Sequence, residues 1–302
     1  MRIAQISDIH LKPKGARAYA AADTAAALRM VVRHLNRLAP APDVVILTGD
    51  IADGGQRESY DLARELLEPL AVPLFMVPGN HDHKGLLAAS FPGHTYLRQD
   101  PDGPTGGFIC YTVEDYAVRL IGLDTVTPGD HGGGLCDVRL AWLDATLQAR
   151  PETPTLIFMH HPPFASAVGH MDIEPFKRRA ALKTIVQRHP QVKRLTCGHI
   201  HRPITLRFGG SVATVCPGVG MQIPMDLRPE APSGFVLGPP GMLVHFWCTR
   251  WGDPPALLTH LELVEDYEGR FGGFHPFYDV ENPADRQQVT GGGLGPTPFS
   301  LL

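Results

Sequence analysis

Short apolar runs rich in β-branched residues recur along the chain, and most are followed by an amphipathic stretch. The runs are Ile3–Ile6, Val44–Leu47, Pro73–Val77, Val118–Leu123, Thr155–Met159 and Val192–Thr196. Helical periodicity follows over Thr24–Arg37, Glu58–Leu70, Val138–Ala149 and Glu174–His189, with Asp137 placed as the N-cap of the third. This alternation predicts an α/β protein with largely parallel core strands.

The pattern changes after about residue 203. Ser211–Val215, Phe235–Leu237, Leu243–Trp247 and Leu261–Val264 read as strands without helices between them, and PPG at 239–241 marks a turn. The proline-rich piece Met221–Pro232 reads as an inserted excursion or cap. From Asn282 onward apolar residues are few and TGGGLGPTP intervenes, so 282–302 is expected to be extended or disordered. No internal repeat is visible.

Composition narrows the function classes. The 302 residues are 43% hydrophobic and 19% charged, enough to bury a substantial core. A formal net charge of −4 argues against general affinity for nucleic acid polymers, but leaves a small phosphate compound open as substrate. MRIAQISDIH has no apolar leader region, and no apolar run approaches a membrane span. A cytoplasmic protein without membrane contact is therefore expected. The five cysteines lack CxxC spacing, which points to reduced thiols. Fifteen histidines is a high count, and their placement is informative.

Five predicted strands end in polar residues of metal-ligand type. The ends are Asp8-Ile9-His10, Gly49-Asp50, Gly79-Asn80-His81-Asp82, His160-His161-Pro162 and Gly198-His199-Ile200-His201. In a parallel α/β sheet the carboxyl ends of strands gather on one edge, where ligands bind. Each piece alone has a plain alternative: Gly-Asp is ordinary turn chemistry, and Asp-x-His can be an Asx turn. Recurrence at successive strand ends has no shared structural explanation, so a metal site is expected. His160 and His161 are neighbours on an extended segment, so only one should turn inward.

These motifs, with LTGDI, VPGNHD, FMHHPP and CGHIH, resemble the calcineurin-like metallophosphoesterases. Within that superfamily the chain is most similar to bacterial class III cyclic nucleotide phosphodiesterases and glycerophosphodiesterases. The resemblance covers about residues 1–203 and is looser over 221–258. It implies a four-layer αββα sandwich with two mixed β-sheets flanked by helices, over residues 1–281, with a cap-like insertion at about 221–258. It also implies a homo-oligomer built through the cap. One metal would be held by Asp8, His10, Asp50 and His201, the second by Asp50, Asn80, His160 and His199, with Asp50 shared.

The ligand chemistry suits two divalent or mixed-valence transition metal ions (Mn, Fe, Co or Zn), whereas Mg prefers oxygen throughout. Two such ions about 3.5–4 Å apart can hold a hydroxide and clamp phosphate oxygens for in-line attack. A small phosphodiester is the expected substrate, because neutral Asn80 in place of an aspartate keeps the site net positive. His81 is the candidate to contact the phosphate or protonate the leaving oxygen, or else to orient its neighbours. Asp82 is placed with it in the catalytic set, either fixing the His81 ring or capping the next helix. A phosphomonoesterase or nuclease on the same metal core is the alternative enzyme. A non-catalytic scaffold should have substituted ligands, and all seven positions are intact.

Other features weigh less. Lys12, Lys14 and Arg17 read as a solvated loop, and Lys177-Arg178-Arg179 as the solvent face of a helix. His170, Met171 and Asp172 are placed to line a pocket, or Asp172 to cap a helix. HxHxDH and Walker-type loops are absent.

Overall fold

The computed structural model describes residues 1–228, 230–249 and 254–265. Its first half runs β1 (Arg2–Ile6), α1 (Thr24–Arg37), β2 (Val44–Thr48), α2 (Arg57–Leu67), β3 (Leu74–Val77), α3 (Lys84–Ser90), β4 (Tyr111–Val113) and β5 (Arg119–Leu123). Then follow α4 (Asp137–Gln148), β6 (Thr155–Met159), α5 (Arg179–Arg188), β7 (Val192–Cys197), β8 (Ile204–Phe208), β9 (Ser211–Val215), β10 (Gly241–Cys248) and β11 (Ala256–Leu263).

Two sheets form. One has the order β11-β10-β1-β2-β3, the other β4-β5-β6-β7-β9-β8. The central pairs β1–β2, β2–β3, β5–β6, β6–β7 and β7–β9 are parallel. The outer pairs β1–β10, β10–β11, β4–β5 and β8–β9 are antiparallel, so both sheets are mixed. The parallel strands β2, β5 and β6 are buried along their whole length, as strands covered on both faces must be.

One face of the first sheet packs beneath α1 and α2 through Leu28, Val31, Leu35, Tyr60 and Leu66. Its other face meets the second sheet, whose Leu120, Leu156 and Phe158 belong to the same core. On the far side of the second sheet, Ile121, Ile157 and Leu195 pack under Leu143 and Leu147 of α4 and Ile185 of α5. Helices, sheet, sheet, helices: the expected four layers are present.

A polar seam also crosses the interface between the sheets. Gln5 donates to Thr48 Oγ1 (3.0 Å) and the Cys197 carbonyl (2.9 Å), and accepts from Thr196 Oγ1 (2.5 Å). His245 Nε2 lies 3.1 Å from Gln5 Oε1, and its Nδ1 lies 2.9 Å from Thr259 Oγ1. Such groups tolerate burial because each is satisfied.

Several sequence expectations are corrected. Phe235–Leu237 forms no strand, only a bridge between Gln222 and Val236, because prolines and glycines flank it. The fourth predicted helix begins at Arg179, not Glu174; upstream, Lys177 exchanges backbone bonds with Gly133 and Leu135. The N-cap of α4 is Cys136, and Asp137 instead pairs with Arg178 at 2.5 Å. The edge strands β4 and β8 and the short α3 gave no clear periodic signal. Met1–Val264 is one compact unit; the tail from Asn282 lies outside the described residues. All five cysteines are unpaired. Among the described residues no helix is long and apolar enough to cross a membrane.

Candidate metal centre

The polar strand ends converge as parallel topology requires. Asp8 and His10 follow β1, Asp50 follows β2, Asn80 follows β3, His160 follows β6, and His199 and His201 follow β7. Asp8 accepts the His199 backbone N–H (3.0 Å), and Asp50 accepts that of His81 (2.9 Å), tying the strand ends together. A side chain on Gly79 would run into Asp50, and one on Gly198 into Ser7 and Asp8, so glycine is required immediately before Asn80 and before His199.

The backbone itself is unusual here. Asp8, His10, Asp50, His199 and His201 all have left-handed φ, between 50° and 71°. Each costs about 1 kcal/mol or more for a non-glycine residue and persists only where the surroundings impose it.

The side chains then meet. Ligand-type atoms of Asp8, His10 and His201 lie within 4.8 Å of one another, as do those of Asp8, Asp50 and His160, and of His160, His161 and His199. Asp50 Oδ2 lies 3.6 Å from His10 Nε2 and 3.3 Å from His160 Nε2, between the two histidines. Asn80 Oδ1 is 3.0 Å from His160 Nε2.

Proton positions follow from fixed acceptors. His201 Nδ1 donates to the Met221 carbonyl (2.9 Å), and His160 Nδ1 to the Thr48 carbonyl (2.7 Å). With Nδ1 committed to the Met221 carbonyl, His201 turns Nε2 into the site, 3.2 Å from His10 Nε2 and 3.4 Å from Asp8 Oδ1. His10 Nδ1 is buried without a partner. Carboxylates and imidazoles gathered this closely are the donor set of a transition-metal site, so the residues fit metal ions.

Burial would raise the Asp50 carboxyl, but His160, His81 and His10 hold it well below the usual range. Burial lowers His160, yet Asp50 more than offsets this and lifts the imidazole to about 9. Burial drives His10 down to about 3 and His161 and His199 well down, while it raises Asp8.

Both His160 and His161 turn towards His199, with ring centroids 5.1 and 4.8 Å away. The chain bends at these residues, so strand alternation does not separate them. His161 Nδ1 is nevertheless engaged by Thr125 Oγ1 at 2.9 Å, whereas His160 faces Asn80 and Asp50.

Asp82 is where expectation and geometry part. It neither caps α3 nor holds the His81 ring. The cap is His83, whose ring accepts from Leu86 N, and the carboxylate at His81 Nδ1 is Asp53 (3.0 Å). Asp82 accepts from the backbone of Ile51, Ala52 and Gly79 and from Tyr60 Oη, bracing two ligand loops, and it does not line the cavity.

Asp53 was not singled out in the sequence, although an acidic residue three positions after Asp50 was there to be read. Its carboxyl falls to about 2, chiefly through the His81 hydrogen bond and also through Lys12. Lys12 is thus not a solvated loop residue: its Nζ lies 2.7 Å from Asp53 Oδ2. The Thr48 and Met221 carbonyls had no sequence signature, because any residue supplies one.

A cavity of about 540 Å³ opens over the centre. His10, Asp50, Asn80, His81, His199 and His201 form its floor, while Asp8 and His160 are fully buried behind it. Tyr19, Met171, Ile173, Met221, Ile223 and Phe235 supply apolar wall, and His131, His170 and Glu174 polar rim. His170 and Met171 therefore line the pocket as expected. Asp172 instead ends a 3₁₀ turn, its carboxylate accepting from Ser166 and Ala167.

The model of the calcineurin-like phosphoesterase family matches residues 1–203. An Arcobacter nitrofigilis protein named probable glycerophosphodiester phosphodiesterase is 36% identical over 92% of this chain and 97% of its own length. A Rhodopseudomonas palustris protein named probable cyclic nucleotide phosphodiesterase is 33% identical over 76% of this chain and 82% of its own. Among solved structures, a dimetal phosphatase of Danio rerio aligns with TM-score 0.56 and 18% identity over 86% of this chain and 98% of that one, a likeness of fold. By sequence and by architecture, this chain belongs to the calcineurin-like phosphoesterase family.

Proposed function

We propose that the protein hydrolyses small phosphodiesters at a two-metal centre. Asp8, His10, Asp50 and His201 hold one ion and Asp50, Asn80, His160 and His199 the other. The observation that carries this is the convergence of ligand-type atoms from Asp8, His10 and His201 and from Asp8, Asp50 and His160, each set within 4.8 Å, at the ends of separate strands. Mn, Fe, Co and Zn all suit this mixed ligand set. When bound, such ions activate water and clamp the phosphate oxygens.

The chain's own groups do the rest. Burial lowers the His81 imidazole, but its hydrogen bond to Asp53, with the charges of Asp50 and Asp53, outweighs this and leaves the group raised. With Nδ1 committed to Asp53, its other nitrogen is the group to give a proton to the departing alkoxide. Among the described residues the cavity wall carries no lysine or arginine. A dianionic monoester finds no added cation there and a nucleic acid polymer no basic track, which supports a diester monoanion. The relatives' names make glycerophosphodiesters and cyclic nucleotides the substrate classes to try, and the longer match favours the former. Exposed Met225, Leu227 and Leu237 in the cap-like stretch at 221–258 support self-association there, which light scattering tests.

The test is a panel of bis(p-nitrophenyl) phosphate, p-nitrophenyl phosphate, cyclic AMP and glycerophosphodiesters, on chelated and Mn-reloaded protein. Diester turnover restored by Mn is expected. Full activity in thorough chelator, or a monoester preference, refutes the proposal.

A further inference from the structure

The excursion after β9 does more than wall the cavity. His201 and Arg202 are adjacent, and together they grip two carbonyls two residues apart: His201 Nδ1 that of Met221 (2.9 Å), and Arg202 Nη1 that of Ile223 (2.6 Å). Met221 and Ile223 line the cavity. Gln222 between them turns the other way, its Nε2 donating to the Gly218 carbonyl at 2.6 Å. Its backbone pairs with Val236 through bonds of 3.0 and 2.8 Å. That pairing places Phe235, the residue before Val236, on the cavity wall against Tyr19, with ring centroids 5.5 Å apart.

One short segment therefore has two duties. Its Met221 carbonyl fixes which nitrogen of His201 carries the proton, and so aims Nε2 into the centre. Its Met221 and Ile223 side chains line the cavity beside the candidate metal centre. We infer that Arg202 is a positioning residue that sets, through this segment, both the affinity of the ion held by His201 and the affinity for substrate. The inference rests on the two-metal reading above. Hydrogen-bond partners that orient a metal-bound imidazole change metal affinity by roughly 10–100-fold. Here the partner is a main-chain carbonyl, so its placement depends on whatever pins the segment. Arg202 and Gln222 pin it by side-chain hydrogen bonds, alongside the packing of Met221 against Ala18 and Ala22.

The experiment compares wild type with Arg202→Ala, Arg202→Lys and Gln222→Ala, each stripped of metal and titrated with Mn against a chromophoric chelator. KM and kcat for bis(p-nitrophenyl) phosphate are measured at saturating Mn. Wild type is expected to take up two ions. Arg202→Ala is expected to weaken one of them about tenfold or more, spare the other, and raise KM with a smaller change in kcat. Arg202→Lys should recover part of both effects, and Gln222→Ala, which loosens the segment from its opposite side, should reproduce them. Unchanged Mn affinity in both alanine variants overturns the inference. So does a KM shift without a metal shift. Failure of wild type to bind two ions instead sinks the two-metal reading, a separate result.

Discussion

Asp82 offers the sharpest separation of bracing from chemistry. Its carboxylate accepts from Ile51 N, Ala52 N and Tyr60 Oη, each at 3.1 Å, and from Gly79 N at 2.9 Å. Truncation to alanine strands three N–H groups and a hydroxyl beneath the loops that carry Asp50 and Asn80. Each stranded donor costs roughly 1–3 kcal/mol before relaxation. Water entry recovers part of this at the half-buried site, so Asp82→Ala should lose about 3–5 kcal/mol. That is a large share of the about 5–15 kcal/mol that holds a domain folded. Asp82→Asn keeps one acceptor oxygen and turns an amide N–H towards the remaining donors, so a loss of about 1–2 kcal/mol is expected. The assay is urea denaturation of both variants, with metal content by elemental analysis and kcat at saturating Mn. For Asp82→Asn, any activity deficit should track metal loss and be recovered by excess Mn. A variant of wild-type stability and full metal content that turns over a hundredfold more slowly would show that Asp82 acts in the chemistry.

Three further outcomes are expected. Asp50→Ala should lose both ions, and elemental analysis finding two metals retained would refute the shared-ligand assignment. His81→Ala should keep its metals and slow turnover by roughly 10²–10⁴-fold, the usual range for a lost general acid; Asp53→Asn should fall between it and wild type, and an unchanged rate in His81→Ala removes the proton-donor role. Burial holds the His245 imidazole down to about 3, with Arg194 nearby lowering it further. The unfolded chain therefore binds a proton that the fold refuses as pH drops below about 6.5, and His245 costs about 2 kcal/mol of stability between pH 6.5 and 5. His245→Gln should flatten that acid limb in denaturation curves, and an identical slope would show that His245 is not buried neutral.

Much of this molecule was legible because two periodicities and one topological rule suffice. The apolar runs of β1, β2, β3, β5, β6 and β7 announce buried strands, and parallel strands place their carboxyl ends together. The ligand residues then stand out as polar types where a run stops. Less legible was anything held by the main chain or by tertiary register. No residue type marks the Thr48 and Met221 carbonyls that set two histidine tautomers. Asp82 and Asp53 are both acids near a ligand, and only the loop geometry decides that Asp53 meets His81 while Asp82 faces backbone N–H groups. The start of α5 was misjudged because Lys177 is claimed by backbone bonds to the loop at Gly133, a contact between segments remote in sequence.

The left-handed backbone at Asp8, His10, Asp50, His199 and His201 narrows the alphabet available there. Aspartate, asparagine, histidine and glycine enter that conformation most readily, and β-branched residues hardly at all. A lineage that ceased to use its metals would therefore drift first towards asparagine and glycine at these places, not towards the aliphatic residues that fill other buried positions. Loss of function in such a lineage would be recorded as the disappearance of charge and imidazole on an unchanged trace, with the strand ends still bent around a centre that no longer binds.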